Sequence, residues 1–387
     1  MRLRNLAIAM MVVSLMLVGC AGGGTANVIK IGWIGPLTGD TAAWGEAEFN
    51  TVKMMVADYN AKGGIDVGGK KYTLEAIGYD DKGDGVEAVN AAKRLTSQDK
   101  VVAIVGPQGS GEAIPLAKTM NDAKIPLVAT TATNPKVTVA EDTKAVHPYM
   151  FRDCFLDPYQ GKVAANFAYN KLGKRAAAIF MAIDDPYSTG LAEYFKLEFE
   201  KLGGKVVETV SFTSGEKEFC APLTKIKAAN PDIIFSPNYY TEVALSAKQA
   251  RELGIKAIML GGDGWPSDNL ISLAGDALEG SWCINHLDPD GAAAKPLKDE
   301  YVAKYSKNPE LNTYLGYDAL LMIVDAIQRA KSTNGEKIMK ALETTDIQGV
   351  TGRIKIGPTH DPVGKTAWML KVIGPKLVFQ EKVELND

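Results

Sequence analysis

The sequence predicts an α/β protein made of two similar units, each a mostly parallel sheet flanked by helices. Three observations carry this reading. Short apolar runs alternate with longer segments of near-helical spacing from Val28 to Leu260, the pattern of strands joined by crossover helices. That series pauses after Asn134-Pro135 and restarts at Tyr159. The chain has 387 residues and no long low-complexity linker. This length exceeds one comfortable core and favours two domains joined by short hinge strands.

The chain opens on a leader rather than on the fold. Arg2 and Arg4 form a basic region, and Leu6–Val18 is an apolar stretch, shorter than the about 20 residues that span a bilayer. It ends in Leu17-Val18-Gly19-Cys20. Small residues before a cysteine at this point resemble a bacterial lipobox. The resemblance implies removal of residues 1–19, lipid on Cys20, and anchoring to a bacterial membrane. Residues 20–27, rich in glycine, read as a flexible tether.

The first unit then runs strand by strand. Val28–Ile34 is a short apolar strand broken by Gly35-Pro36, and Trp44–Lys62 has helical spacing and stops at Gly63-Gly64. Lys71–Tyr79 reads as a strand and Asp84–Gln98 as a helix. Val101–Val105 is a buried strand that runs into Gly106-Pro107-Gln108-Gly109-Ser110-Gly111, with a helix expected over Glu112–Lys124. Ser110 therefore stands at a helix mouth. There its hydroxyl either caps its own helix or joins free amides in holding a small anion. Pro126–Ala129 is a further strand and ends in Thr130-Thr131-Ala132-Thr133-Asn134-Pro135.

The second unit repeats the order. Helices are expected over Tyr159–Leu172, Leu191–Lys201, Glu218–Ala229 and Tyr240–Leu253; strands over Arg175–Ile183, Lys205–Phe212, Asp232–Ser236 and Ala257–Leu260. Tyr187, Tyr239, Tyr240 and Asp263 follow strand ends, as Trp44, Ser110 and Thr133 do in the first unit. Ligands of such sheets lie beyond the carboxyl ends of the strands. Beyond Gly280 come helices at Tyr314–Ala330 and Gly335–Glu343 and strand-like runs such as Trp368–Ile373, with no new βα series. These pieces complete the two existing units, so the chain crosses between them more than once.

Composition narrows the chemistry. A net charge of −3 with no basic block argues against nucleic acid. His147, His286 and His360 are far apart and form neither a metal nor a triad pattern; as lone histidines they read as surface or ordinary polar residues. The run Gly109-Ser110-Gly111 is not a nucleophile elbow, no phosphate loop occurs, and Asp80–Gly85 is a poor calcium loop with a lysine among its would-be ligands. No enzyme, cofactor or metal is expected. Cys154, Cys220 and Cys283 leave at least one free thiol. What remains is recognition chemistry. Hydroxyls with amides suit a carboxylate, Asp263 suits an ammonium, and aromatic residues give apolar walls.

Taken together, these segments resemble the periplasmic branched-chain amino acid binding proteins of ABC transporters. The motifs are Trp44-Gly45-Glu46-Ala47-Glu48-Phe49-Asn50, Asn60–Ile65, Tyr79-Asp80-Asp81, Ala132-Thr133-Asn134-Pro135, Phe151-Arg152, Asp157, Gln160-Gly161 and Gly215–Phe219. The resemblance implies a monomeric two-lobed type I binding protein, with lobes at 28–154 plus about 287–362 and at 155–286 plus about 363–387. It implies an aliphatic amino acid as ligand and permease subunits as partners. Ser110 and Thr133 would bind the carboxylate, with Thr131 contributing through its backbone. Asp263 would hold the ammonium where relatives carry glutamate. Tyr187, Tyr239 and Trp44 would line the pocket. Two departures stand out: Lys82 and Gly109 occupy the regions of a disulfide in leucine-binding members, and Glu112 follows the serine loop, where it repels an anion unless it points away. Relatives of this fold also take amides, urea and aromatic acids. An aromatic acid would leave Asp263 unpaired, which ranks it second.

Overall fold

The computed structural model describes residues 27–383. The expected leader, Cys20 and nearly all of the tether lie outside the described residues. Among those described, no helix is long and apolar enough to cross a membrane.

The first sheet is built from β1 (Val28–Gly35), β2 (Ile65–Val67), β3 (Lys70–Asp80), β4 (Ala103–Val105), β5 (Leu127–Ala129) and β6 (Met150–Arg152), in the order β2-β3-β1-β4-β5-β6. All neighbours are parallel except the β2–β3 hairpin. Its crossovers are α1 (Ala42–Ala61), α2 (Gly85–Arg94), α3 (Ser110–Ala113) and α4 (Leu116–Ala123). The central strands are apolar on both faces, as helix cover on both sides requires.

The second sheet starts with β7 (Ala176–Ala182), β8 (Lys205–Phe212), β9 (Ile233–Phe235), β10 (Ile258–Gly261) and β11 (Trp282–Asn285). Around it lie α5 (Asp157–Asn166), α6 (Pro186–Lys201), α7 (Cys220–Ala229), α8 (Tyr240–Glu252) and α9 (Asp268–Ala274). The chain returns to the first unit with α10 (Lys295–Tyr305), α11 (Leu311–Ala330) and α12 (Gly335–Leu342), then a small sheet of β12 (Asp346–Gly349), β13 (Gly352–Ile356) and β14 (Pro362–Val363). Finally β15 (Ala367–Ile373) and β16 (Lys376–Val383) pair antiparallel along the edge of the second sheet. Among the described residues the chain thus passes between the two large sheets three times, after β6, β11 and β14.

Disregarding the added edge strands, both sheets have the same order. β3-β1-β4-β5-β6 and β8-β7-β9-β10-β11 each place their first strand second, so strand order reverses beside β1 and beside β7. Such a reversal leaves a crevice at the carboxyl ends of the strands.

Several elements differ from expectation. The helix expected over Glu112–Lys124 is two short ones, because Pro115 has no amide to donate and falls between α3 and α4. The helix expected from Leu191 begins earlier, at Pro186, where Asp185 accepts the amides of Tyr187 and Ser188. Tyr187 is therefore on the first turn of α6 rather than in a loop. β2, β6, β11, α9 and α10 were not expected; most are too short to show a period. Among the described residues Cys154, Cys220 and Cys283 are free thiols, Cys154 and Cys283 buried and Cys220 exposed. Asp80 and Asp84 serve the turn itself, accepting amides of Leu37, Lys82, Val86 and Glu87.

Candidate functional site

The carboxyl ends of the two sheets face each other, and six of the seven sequence-expected residues at strand ends fall in matching places. Trp44 follows β1, Ser110 follows β4 and Thr133 follows β5; Tyr187 follows β7, Tyr239 follows β9 and Asp263 follows β10. Each trio occupies the strand that reverses the order and the next two across the sheet.

On the first side, Gly106 makes the loop. Its φ is +88°, and a Cβ there would stand 2.1 Å from the carbonyl oxygen of Ile34, so no other residue fits without backbone movement. Ser110 does not cap its own helix. Its Oγ accepts the amide of Asn134 at 3.2 Å, tying the serine loop to the Thr133 loop. The Thr133 hydroxyl is buried beside the Asp157 carboxyl but makes no well-formed bond. Thr131 spends its hydroxyl on the frame, donating to Gln108 O at 2.9 Å and accepting from Asn312 Nδ2 at 3.0 Å. The helix after Ser110 has only four residues, so a macrodipole adds little here.

Two buried ionisable residues hold these loops from behind. Glu48 takes the Trp33 indole N–H on Oε1 and the Thr130 hydroxyl on Oε2, both at 2.9 Å. Burial pushes its carboxyl up to about 7. Arg152 donates to the carbonyls of Ala132 (2.6 Å) and Asn134 (2.9 Å) and pairs with Asp361.

On the second side, Asp263 is almost completely buried. Gln160 grips it twice, Nε2 donating to Oδ1 at 2.8 Å and Oε1 accepting the Asp263 amide at 3.2 Å. His286 Nε2 lies 2.8 Å from Oδ2. Tyr187 Oη accepts the Gly264 amide at 3.0 Å. Gly262 makes this possible, since a Cβ there would fall 2.1 Å from Gln160 Oε1 and 2.5 Å from Tyr187 Oη. Asp263 is therefore not left unpaired without a ligand ammonium, which removes the sequence-level objection to an acid lacking one.

The two sides meet through aromatic rings and polar links. Tyr187 stacks on Tyr239 with centroids 5.2 Å apart, and Tyr239 meets Trp44 edge-on at 5.6 Å. Trp44, on a first-sheet helix, packs in the second sheet's core and donates to Pro266 O at 3.2 Å. Tyr240 also touches Trp44, with centroids 5.2 Å apart. Asp40 pairs with Lys217 at 2.6 Å, and Asn134 Nδ2 donates to Pro186 O at 2.8 Å. The Glu112 carboxylate lies between Gly83 and Gly109; burial, then the nearby Asp81 charge, raises it to about 7.

The family profile described as periplasmic binding protein matches residues 28–375. The chain belongs to the periplasmic binding protein family. Among its relatives is the Leu/Ile/Val-binding protein BraC3 of Rhizobium johnstonii, 31% identical over 357 residues, 91% of this chain and 94% of that one. The leucine-binding protein LivK of Thermotoga maritima superposes with a TM-score of 0.83 at 33% identity, covering 92% of this chain and 98% of that one. The branched-chain amino acid transporter substrate binding protein LivJ of Streptococcus pneumoniae, solved with isoleucine, gives a TM-score of 0.83 at 30% identity and covers 92% and 99%. The type I binding-protein fold expected from sequence is thus the fold observed.

Sequence reasoning missed Gln160 and Arg152 as builders of the site, though both fall in the quoted motifs. It set His286 aside as a lone histidine. His286 and His360 are in fact buried, and only His147 is near the surface. The available signal for His286 was its place just after a buried strand; its contact with Asp263 is a long-range event that spacing does not encode.

Proposed function

We propose that this binding protein is an extracytoplasmic receptor for an aliphatic, branched-chain α-amino acid, which it delivers to the membrane subunits of an ABC importer. In this reading residues 28–154 with about 287–362 form one lobe and residues 155–286 with about 363–387 the other. The protein works as a monomer without catalysis, held at a bacterial membrane by lipid on Cys20.

The observation that carries the reading is the facing of two kinds of polar group across aromatic walls. Ser110 Oγ and Thr133 Oγ1, with nearby amides, offer donors to a carboxylate. Asp263 offers an acceptor to an ammonium, since a carboxylate has about four acceptor positions and Gln160, His286 and Tyr187 use three. Trp44, Tyr187 and Tyr239 cover the apolar part. Charge-assisted hydrogen bonds contribute roughly 1.5–3 kcal/mol each, and micromolar affinity needs about 8 kcal/mol net. A few such bonds with one buried side chain supply it after ordering costs. Closure of the lobes then presents the permease with a new shape.

A second reading, an aromatic carboxylate as ligand, is favoured by the internal pairing of Asp263. Calorimetric titration with leucine, isoleucine, valine and benzoate separates the two. Heat with the aliphatic amino acids and none with benzoate is the expected result. Binding of benzoate alone overturns the first reading in favour of the second, and no heat with any of the four overturns both.

A further inference from the structure

We propose that His286 is a positioning residue for the ammonium subsite: as a neutral imidazole with its proton on Nε2, it fixes Asp263 Oδ2 without cancelling the charge that attracts the ligand. The inference rests on the amino acid reading above.

Asp263 and His286 follow adjacent parallel strands, β10 and β11, so the fold itself brings them together. Their side chains are both out of water, and Nε2 lies 2.8 Å from Oδ2. The carboxylate only accepts, so Nε2 carries the hydrogen. The other nitrogen, Nδ1, is buried and has no partner. A cationic ring would place a second N–H there with nothing to accept it, at the full cost of an unmet buried donor. Burial accordingly pushes the His286 imidazolium toward deprotonation. The Asp263 charge opposes this, while the Lys365 ammonium favours it.

The ring is also fixed in direction. It stacks on Phe155 with centroids 3.7 Å apart and an interplanar angle of 14°. Phe155 is on the first passage between the sheets and His286 begins the second. The two passages that follow the equivalent strands β6 and β11 are therefore clamped together, and the clamp aims Nε2 at the acid. A neutral donor leaves the subsite with a net negative charge. An imidazolium would neutralise it and remove the reason for an ammonium to bind.

Two measurements test this. The first needs no ligand: 15N chemical shifts of the His286 ring are followed between about pH 5.5 and pH 8. A neutral ring with the proton on Nε2 throughout is expected. A ring protonated at about pH 7, or carrying its proton on Nδ1, overturns the proposal. The second compares leucine with 4-methylpentanoate, the same acid without the ammonium, in wild type, His286→Phe and His286→Gln. Phenylalanine keeps the stack and loses the donor; glutamine restores a donor. His286→Phe is expected to lose about tenfold or more for leucine, with little change for 4-methylpentanoate, and His286→Gln to recover most of the loss. Equal losses for both ligands, or leucine affinity in His286→Phe within about twofold of wild type, overturn the role. Failure of wild type to bind leucine counts instead against the ligand reading, and the ring shifts still decide the protonation state.

Discussion

Arg152 and Asp361 pair inside the first lobe with both side chains out of water, and the same guanidinium donates to the carbonyls of Ala132 and Asn134 on either side of Thr133. One ion pair thus fixes the loop that carries Thr133, the proposed carboxylate donor. Removing one partner of a buried pair strands the other, which costs about 3–5 kcal/mol. Arg152→Met is expected to lower unfolding stability by that order in a urea titration. A loss under about 1 kcal/mol, the range of a surface pair, would show that the pair is dispensable.

Stability should also fall as pH rises through neutrality. Glu48 has a folded pKa of about 7 against an ordinary 4.5, because burial disfavours its charge. Between those values the folded chain holds a proton that the unfolded chain has lost. Its contribution is complete below about 4.5 and disappears as pH passes about 7. Asp81, Glu112 and Asp185, each raised to about 7 by burial, act in the same direction. Urea midpoints measured from about pH 5 to pH 8 should decline, and more shallowly in Glu48→Gln, which cannot titrate. An unchanged slope in that variant would contradict the assignment.

Ser110 Oγ joins two loops and, in the proposed pose, also donates to the carboxylate. Ser110→Ala removes one charge-assisted bond and leaves the Asn134 amide without its acceptor. Leucine affinity is expected to drop by about tenfold to a hundredfold, with a melting temperature a few degrees below wild type because the Asn134 amide is left unmet. Calorimetry and a thermal melt check both halves. Unchanged affinity would remove Ser110 from the site.

Much of this was legible in the residue pattern, for identifiable reasons. Crossover helices and buried strands have periods that a sequence displays, so β1, β3, β7 and α11 stood close to their expected limits. The strand-end residues could be singled out because strand limits are legible and ligands of parallel sheets gather at those ends. The break at Pro115 was written in the sequence but overridden by the helical look around it. The partners of Asp263 were not legible. Gln160 is 103 residues away, and His286 reaches it only because β11 pairs with β10. The likeness of the two site trios depends on strand order, which local pattern does not fix.

The most direct test of the central claim is a crystal structure of the protein grown with leucine. The account predicts leucine between the two sheets, its carboxylate within hydrogen-bonding distance of Ser110 Oγ and Thr133 Oγ1, and its ammonium on Asp263, with the side chain against Trp44 and Tyr239. A ligand in the reverse orientation, with its carboxylate toward the Asp263 side, or a cleft left empty while leucine binds elsewhere, would contradict it.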